Sequence, residues 1–276
     1  MLSKREKKQI PILMYHSIAQ STNPKFKQLA VLPASFAEQM AYLYNHQYTP
    51  ITVTQLINAR SNNTFILPER SVVLTFDDGF ADFFTEALPV LKQYGFVATL
   101  YVATSFINGT SRWLQHMGEG ERCMLTWEQL AEINANGVEC GAHSHSHPQL
   151  DTLPLPVVQD EILQCKRLLE DHLDQNIFSF AYPYGYYTAE VRQAVQNAGY
   201  TSACAVRHAM SSKFDDSFSL ARLQVGADSN IEKFVAMLTG RGVSPAMMVY
   251  TTYARARTPI WQFVRRCTAS LAPRSL

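Results

Sequence analysis

Asp77 and Asp78 stand side by side in residues 71–80 (SVVLTFDDGF), directly after the apolar, β-branched-rich run Val72-Val73-Leu74. Two adjacent carboxylates repel, which raises the pKa of one of them unless a cation stabilises the pair, so the doublet calls for a metal. Further ligands are offered by His143-Ser144-His145-Ser146-His147-Pro148, which holds three imidazoles within five residues. Neutral imidazole is the commonest protein ligand for a divalent transition metal, and one carboxylate with two imidazoles leaves coordination positions for water and substrate. A surface histidine cluster beside an ordinary acidic turn is the alternative. His145 either faces solvent or replaces a neighbour as ligand.

These residues need rigid elements behind them. Residues 72–74 read as a buried strand that stops where the polarity switches, and Gly79 supplies the freedom a turn needs. Residues 138–142 read as a second strand running into the histidines, and Pro148 closes that run before a long helix can form. Helical and strand patterns alternate along the chain: helices at 82–94 and 155–173, strands at 97–102, 177–181 and 202–206. Such alternation implies βαβ units, a parallel sheet, and a site at the carboxyl ends of its strands. Capping boxes at Ser35/Glu38 and Thr126/Gln129 mark two helix starts. Residues 104–124 form a long irregular insert whose Trp113 is either a sugar-stacking platform or a structural plug.

Thr75-Phe76-Asp77-Asp78-Gly79, then His143 and His147, then Tyr182-Pro183-Tyr184-Gly185 resemble, in order and spacing, the motifs of the polysaccharide deacetylase family (NodB homology, carbohydrate esterase family 4). The resemblance spans roughly residues 10–225. It implies an α/β fold, a distorted (β/α)7 barrel, with a divalent metal on Asp78, His143 and His147 and hydrolysis of an N-acetyl group on an amino sugar. Zn²⁺ heads the metals that suit this set, with Mn²⁺, Co²⁺, Ni²⁺ and Fe²⁺ as alternatives. By the same resemblance Asp77 is the general base and the Tyr184 backbone N–H is the oxyanion donor. Many members supply a general acid from a Leu-x-His near the C-terminus, which is missing after Val225. Leu13-Met14-Tyr15-His16 resembles instead the rearranged poly-N-acetylglucosamine deacetylase branch, in which the first strand brings that histidine in. His208, at another strand end, ranks below His16. The family arginine two residues before the motif proline is replaced by Ala181, and Arg222 is the candidate to take over its task of orienting Asp77.

Composition sets outer bounds. The chain has 276 residues, 47% hydrophobic and 17% charged, with a net charge of +1. That suits one globular domain at 10–240, between a flexible basic tail at 1–9 and a basic extension at 241–276. The near-neutral charge and the absence of a nucleic-acid motif argue against nucleic acid as partner. Five scattered cysteines without a CxxC pair read as reduced, and no signal or membrane-spanning segment is evident, so a cytoplasmic location is expected. The expected partner is an N-acetylated glycan or a lipid- or nucleotide-linked amino sugar. The C-terminal extension, with apolar residues at roughly helical spacing beside Arg265 and Arg266, either packs on the barrel or touches an anionic membrane surface. Rival readings are deformylation or cyclic-imide opening on the same fold, a noncatalytic glycan-binding barrel, and a closed structural metal site.

Overall fold

Six consecutive buried residues, Ser71–Phe76, form the strand around which the molecule is arranged. A computed structural model of the protein describes residues 9–241 except 21, 62–64, 207–208 and 213. Residues 1–8 of the basic tail expected at 1–9, His208 and residues 242–276 of the extension expected at 241–276 therefore lie outside the described residues, and the membrane-facing expectation for the C-terminal extension lies there too.

The elements follow in the order β1 (Ile12–Tyr15), β2 (Ser17–Ile18), β3 (Ala30–Val31), α1 (Pro33–Asn45), β4 (Thr49–Ile51), α2 (Val53–Ser61) and β5 (Ser71–Phe76). Then come α3 (Leu88–Tyr94), β6 (Thr99–Val102), α4 (Trp127–Ala135), β7 (Glu139–Ala142), α5 (Leu155–Leu173), β8 (Ser179–Ala181), α6 (Ala189–Asn197), β9 (Ser202–Cys204), β10 (Leu223–Gln224) and α7 (Ile231–Leu238). The main sheet runs β10-β1-β5-β6-β7-β8-β9, with β4 on the lower half of β5, and every pairing is parallel. The stretch from Leu220 to Gln224 bridges Cys204 at one edge and pairs with Leu13 and Met14 at the other, which closes the curl into a distorted barrel. Helices cover the outside, so the strands are apolar on both faces, as parallel strands require.

The amphipathic helix expected at 155–173 forms over those residues and buries Val158, Ile162, Cys165 and Leu169. Burial of its Val, Ile and Leu side chains is worth roughly 1.5–3 kcal/mol each. Thr126 and Gln129 make the expected reciprocal cap of α4. The box expected at Ser35/Glu38 does not form, because Pro33 occupies the first helical position and Leu32 the cap, three residues earlier. The fixed φ and missing N–H of proline suit that position. The helix expected at 82–94 opens with a π-helical turn, Phe83–Ala87, before α3 begins. The last described helix, α7, buries Phe234, Met237 and Leu238. Among the described residues no helix is long and apolar enough to cross a membrane.

Candidate metal centre and active site

The ends of β1, β5, β7 and β8 and the strand entry before β10 all deliver polar side chains to one rim of the barrel. Asp77 and Asp78 leave β5, where the Asp77 N–H donates to the Tyr15 carbonyl at 3.0 Å and so ties the doublet to the end of β1. Asp78 turns sharply, with φ 79°, and Gly79 follows at φ 87°. A β-carbon on Gly79 would sit 3.0 Å from the Val102 side chain, so a larger residue there would push the doublet off the sheet. Ser144, His147 and Tyr184 also have positive φ, at 62°, 55° and 58°. Non-glycine residues held in this region store strain, and four of them fall in the loops of one rim.

Asp78, His143 and His147 are buried, and one ligand atom from each lies within 4.8 Å of the others. The Asp78 Oδ1 atom is 3.4 Å from Nε2 of His143 and 3.2 Å from Nε2 of His147. Tetrahedral ligands about 2.1 Å from a zinc ion stand roughly 3.4 Å apart, so both separations from Asp78 suit ligands of one cation. The His143 Nδ1–H group donates to the Ala181 carbonyl at 2.8 Å, which fixes the tautomer and leaves Nε2 as a lone-pair ligand. The Ser144 hydroxyl accepts the His147 N–H at 3.1 Å. His145 turns away: its Nδ1 pairs with the Thr104 hydroxyl at 2.9 Å, and its carbonyl accepts the Ser105 N–H. His145 is outside the three-ligand group and half-buried, and it braces the insert against the histidine loop.

Asp77 stays outside the three-ligand set. Arg222, fully buried, grips it with two hydrogen bonds, Nη1 to Oδ1 at 2.6 Å and Nη2 to Oδ2 at 2.7 Å. The same guanidinium donates to the Thr75 hydroxyl and the Ala205 carbonyl and lies over the Tyr101 ring. The side chain offered from the last strand thus reaches the place that Ala181 leaves empty of charge. The contacts of Thr75 and Ala205 with Arg222, and of the Ala181 carbonyl with His143, could not be read from the sequence, because they depend on which strands become neighbours.

Burial raises the Asp77 carboxyl, but the charge of Arg222 outweighs it and leaves the pKa below the usual carboxylate value. Burial also raises Asp78, yet the hydrogen bonds from His143 and His147 hold it well below that value. Both carboxylates are therefore ionised at neutral pH. His16 is half-buried at the end of β1, with Nδ1 buried and unpartnered. Burial is the largest influence and leaves its pKa below the usual imidazole value, although the charges of Asp78 and Asp77 pull upwards; Arg222 and His143 push down as well. Tyr184 lies in the turn Pro183–Gly185 with its ring 4.8 Å from that of His147, and burial pushes its phenol up to about 12. Trp113 packs 5.2 Å from the His147 ring and also against Phe106 and Phe80, contacts that fit the plug among its two expected roles.

Residues 66–203 match the family model described as polysaccharide deacetylase, half of the chain and the part that contains both acidic residues, the histidine loop and the Tyr184 turn. The chain belongs to the polysaccharide deacetylase family. It is 28% identical over 232 residues to the polysaccharide deacetylase homologue YxkH of Bacillus subtilis, covering 83% of this chain and 76% of that one. It is 24% identical over 234 residues to the poly-β-1,6-N-acetyl-D-glucosamine N-deacetylase of Staphylococcus epidermidis, covering 82% and 78%. Among solved structures, the Streptococcus pyogenes deacetylase PplD, in complex with acetate, superposes with a TM-score of 0.73 at 28% identity over 84% of this chain and 99% of that one. The IcaB structure from Ammonifex degensii, at 21% identity, shares the fold with a TM-score of 0.71 over 86% and 98%. The expected (β/α) barrel of this family is the fold observed.

Proposed function

We propose that the protein is a metal-dependent hydrolase that removes N-acetyl groups from amino sugars of a glycan. The observation that carries the reading is the convergence of Asp78, His143 and His147 beside a carboxylate, Asp77, that belongs to no ligand set and is held by Arg222. The donors suit zinc, and a bound divalent ion would polarise the acetyl carbonyl and lower the pKa of a water from about 16 towards 7. The remaining steps fall to the chain's own groups. Asp77, ionised, accepts the proton of the attacking water. The Tyr184 N–H, in the turn against His147, donates to the carbonyl oxygen as it gains negative charge. When the C–N bond breaks, the amine nitrogen takes a proton from His16. The products are acetate and a free amino sugar.

Relatives named for poly-β-1,6-N-acetyl-D-glucosamine support a polymer of N-acetylglucosamine as the substrate class. The four described cysteines are all free, in keeping with a reducing, cytoplasmic compartment. The test is acetate release from N-acetylglucosamine oligomers by the zinc-loaded protein, with and without chelator. Release that needs the metal is expected, and no release from any N-acetylated sugar would overturn the reading; formate release from N-formylated sugars would replace it with the deformylase alternative.

A further inference from the structure

A polar clasp lies just outside the metal centre and holds the residue next to His16. The Ser17 hydroxyl is fully buried; it donates to Asp82 Oδ2 at 2.6 Å and accepts from Arg122 Nη2 at 2.7 Å. The other Asp82 oxygen accepts the Ile18 N–H at 3.1 Å. On the far side of His16, the Tyr15 carbonyl accepts the Asp77 N–H. His16 is thus bracketed along the backbone, by the base doublet before it and by Asp82 after it.

Arg122 supports the clasp from the insert. It lies over the Phe26 and Phe80 rings, at 5.3 and 5.5 Å, and pairs with Glu119 at 3.3 Å and Asp82 at 3.4 Å. Phe80 follows Gly79 directly and stacks towards Trp113, which packs on His147. Asp82 itself sits where the π-helical turn begins, a local irregularity that re-aims a side chain and is frequent at functional sites. An aspartate with both oxygens committed to residues 17 and 18, when a surface position would leave it solvated, is a costly arrangement for cohesion alone.

We propose that Asp82, acting through the Ser17 hydroxyl and the Ile18 amide with Arg122 behind it, is the positioning residue that aims His16 at the departing amine. The inference rests on the reading of His16 as general acid. Asp82 touches no reacting atom; it fixes the segment that carries the acid, and a misplacement of about 1 Å in such a group costs on the order of 10²-fold.

The experiment compares Asp82→Ala, Ser17→Ala, His16→Ala and the two double variants with His16→Ala, all zinc-loaded, on an N-acetylglucosamine oligomer and on 4-nitrophenyl acetate. The phenolate of the ester leaves without a proton, whereas the amine of the oligomer cannot. Asp82→Ala is expected to lower kcat on the oligomer by about 10- to 100-fold, with KM and zinc content unchanged and ester hydrolysis retained. In the His16→Ala background the same change should cost nothing further, because groups acting as one unit are non-additive. Equal losses on amide and ester, or a full additional loss in the His16→Ala background, would overturn the proposal and make the clasp merely structural. If Asp82→Ala fails to fold, Ser17→Ala, which removes a single hydroxyl, is judged by the same two criteria. Wild-type protein inert towards both substrates overturns the hydrolase reading, and this proposal with it, a result distinct from either pattern.

Discussion

Carboxylates sit at both ends of this sheet, and the two ends treat them differently. At the amino ends of the strands, Glu139 opens β7 and accepts the Thr54 hydroxyl and the Ser179 hydroxyl on one oxygen, at 2.6 and 2.8 Å. Its other oxygen accepts the Thr99 hydroxyl and the Thr54 N–H, at 3.0 and 3.1 Å. All four donors are neutral. At the carboxyl ends, Asp78 faces two imidazole nitrogens and Asp77 a guanidinium, on loops whose backbone is strained at Asp78, Ser144, His147 and Tyr184. A carboxylate whose oxygens are filled by neutral donors glues three strands and a helix together. One that shares converging lone pairs with two histidines is a place to put a cation. The contrast separates stabilising polar groups from reactive ones by what remains to be satisfied.

Four measurements press on that contrast. The largest effect is expected from Asp77→Asn, which removes the base while keeping shape; acetate release should fall by at least about 10²–10⁴-fold, with bound zinc unchanged by elemental analysis. Near-wild-type turnover would remove Asp77 from the mechanism. His16→Ala should cost a comparable 10²–10⁴-fold at unchanged metal content when the leaving group is an amine.

Arg222→Ala strikes the rim through stability. Losing one partner of a buried ion pair leaves an uncompensated charge and costs about 3–5 kcal/mol, to be read from urea unfolding, along with activity. A variant as stable as the wild type would mean that the Asp77 grip is dispensable. Glu139→Ala, at the other end, should lower stability by about 1–3 kcal/mol for each buried donor it strands, with kcat per folded molecule preserved. Should Glu139→Ala disable turnover while Arg222→Ala leaves it intact, the division between the two rims would be wrong. Chelation provides a further check, since an open three-ligand site should lose activity yet keep its fold, whereas a closed structural site would unfold.

Much of the site was legible because its signals are local. Strand ends announce themselves by a polarity switch, as at Thr75-Phe76-Asp77-Asp78, and two histidines four residues apart in the chain, His143 and His147, fall on one loop. Helical spacing located α5 to the residue and the Thr126 cap placed α4. The cap at Ser35 misled, because a proline two residues earlier had the stronger claim on the helix start. Helix α7 was not foreseen, since its burial depends on what the barrel offers to Phe234 and Met237.

The chain order of side chains therefore determined the ligand types, the alternation of strands and helices and the doublet at which a base and a ligand meet, because each depends on residues within a few positions of one another. Only tertiary structure decided that Arg222, 145 residues from Asp77, closes on it in two hydrogen bonds, that the Ala181 carbonyl sets the His143 tautomer, and that Asp82 holds the segment beside His16. Those contacts join different strands across a closed parallel sheet, and no spacing along the chain records which strand ends will become neighbours.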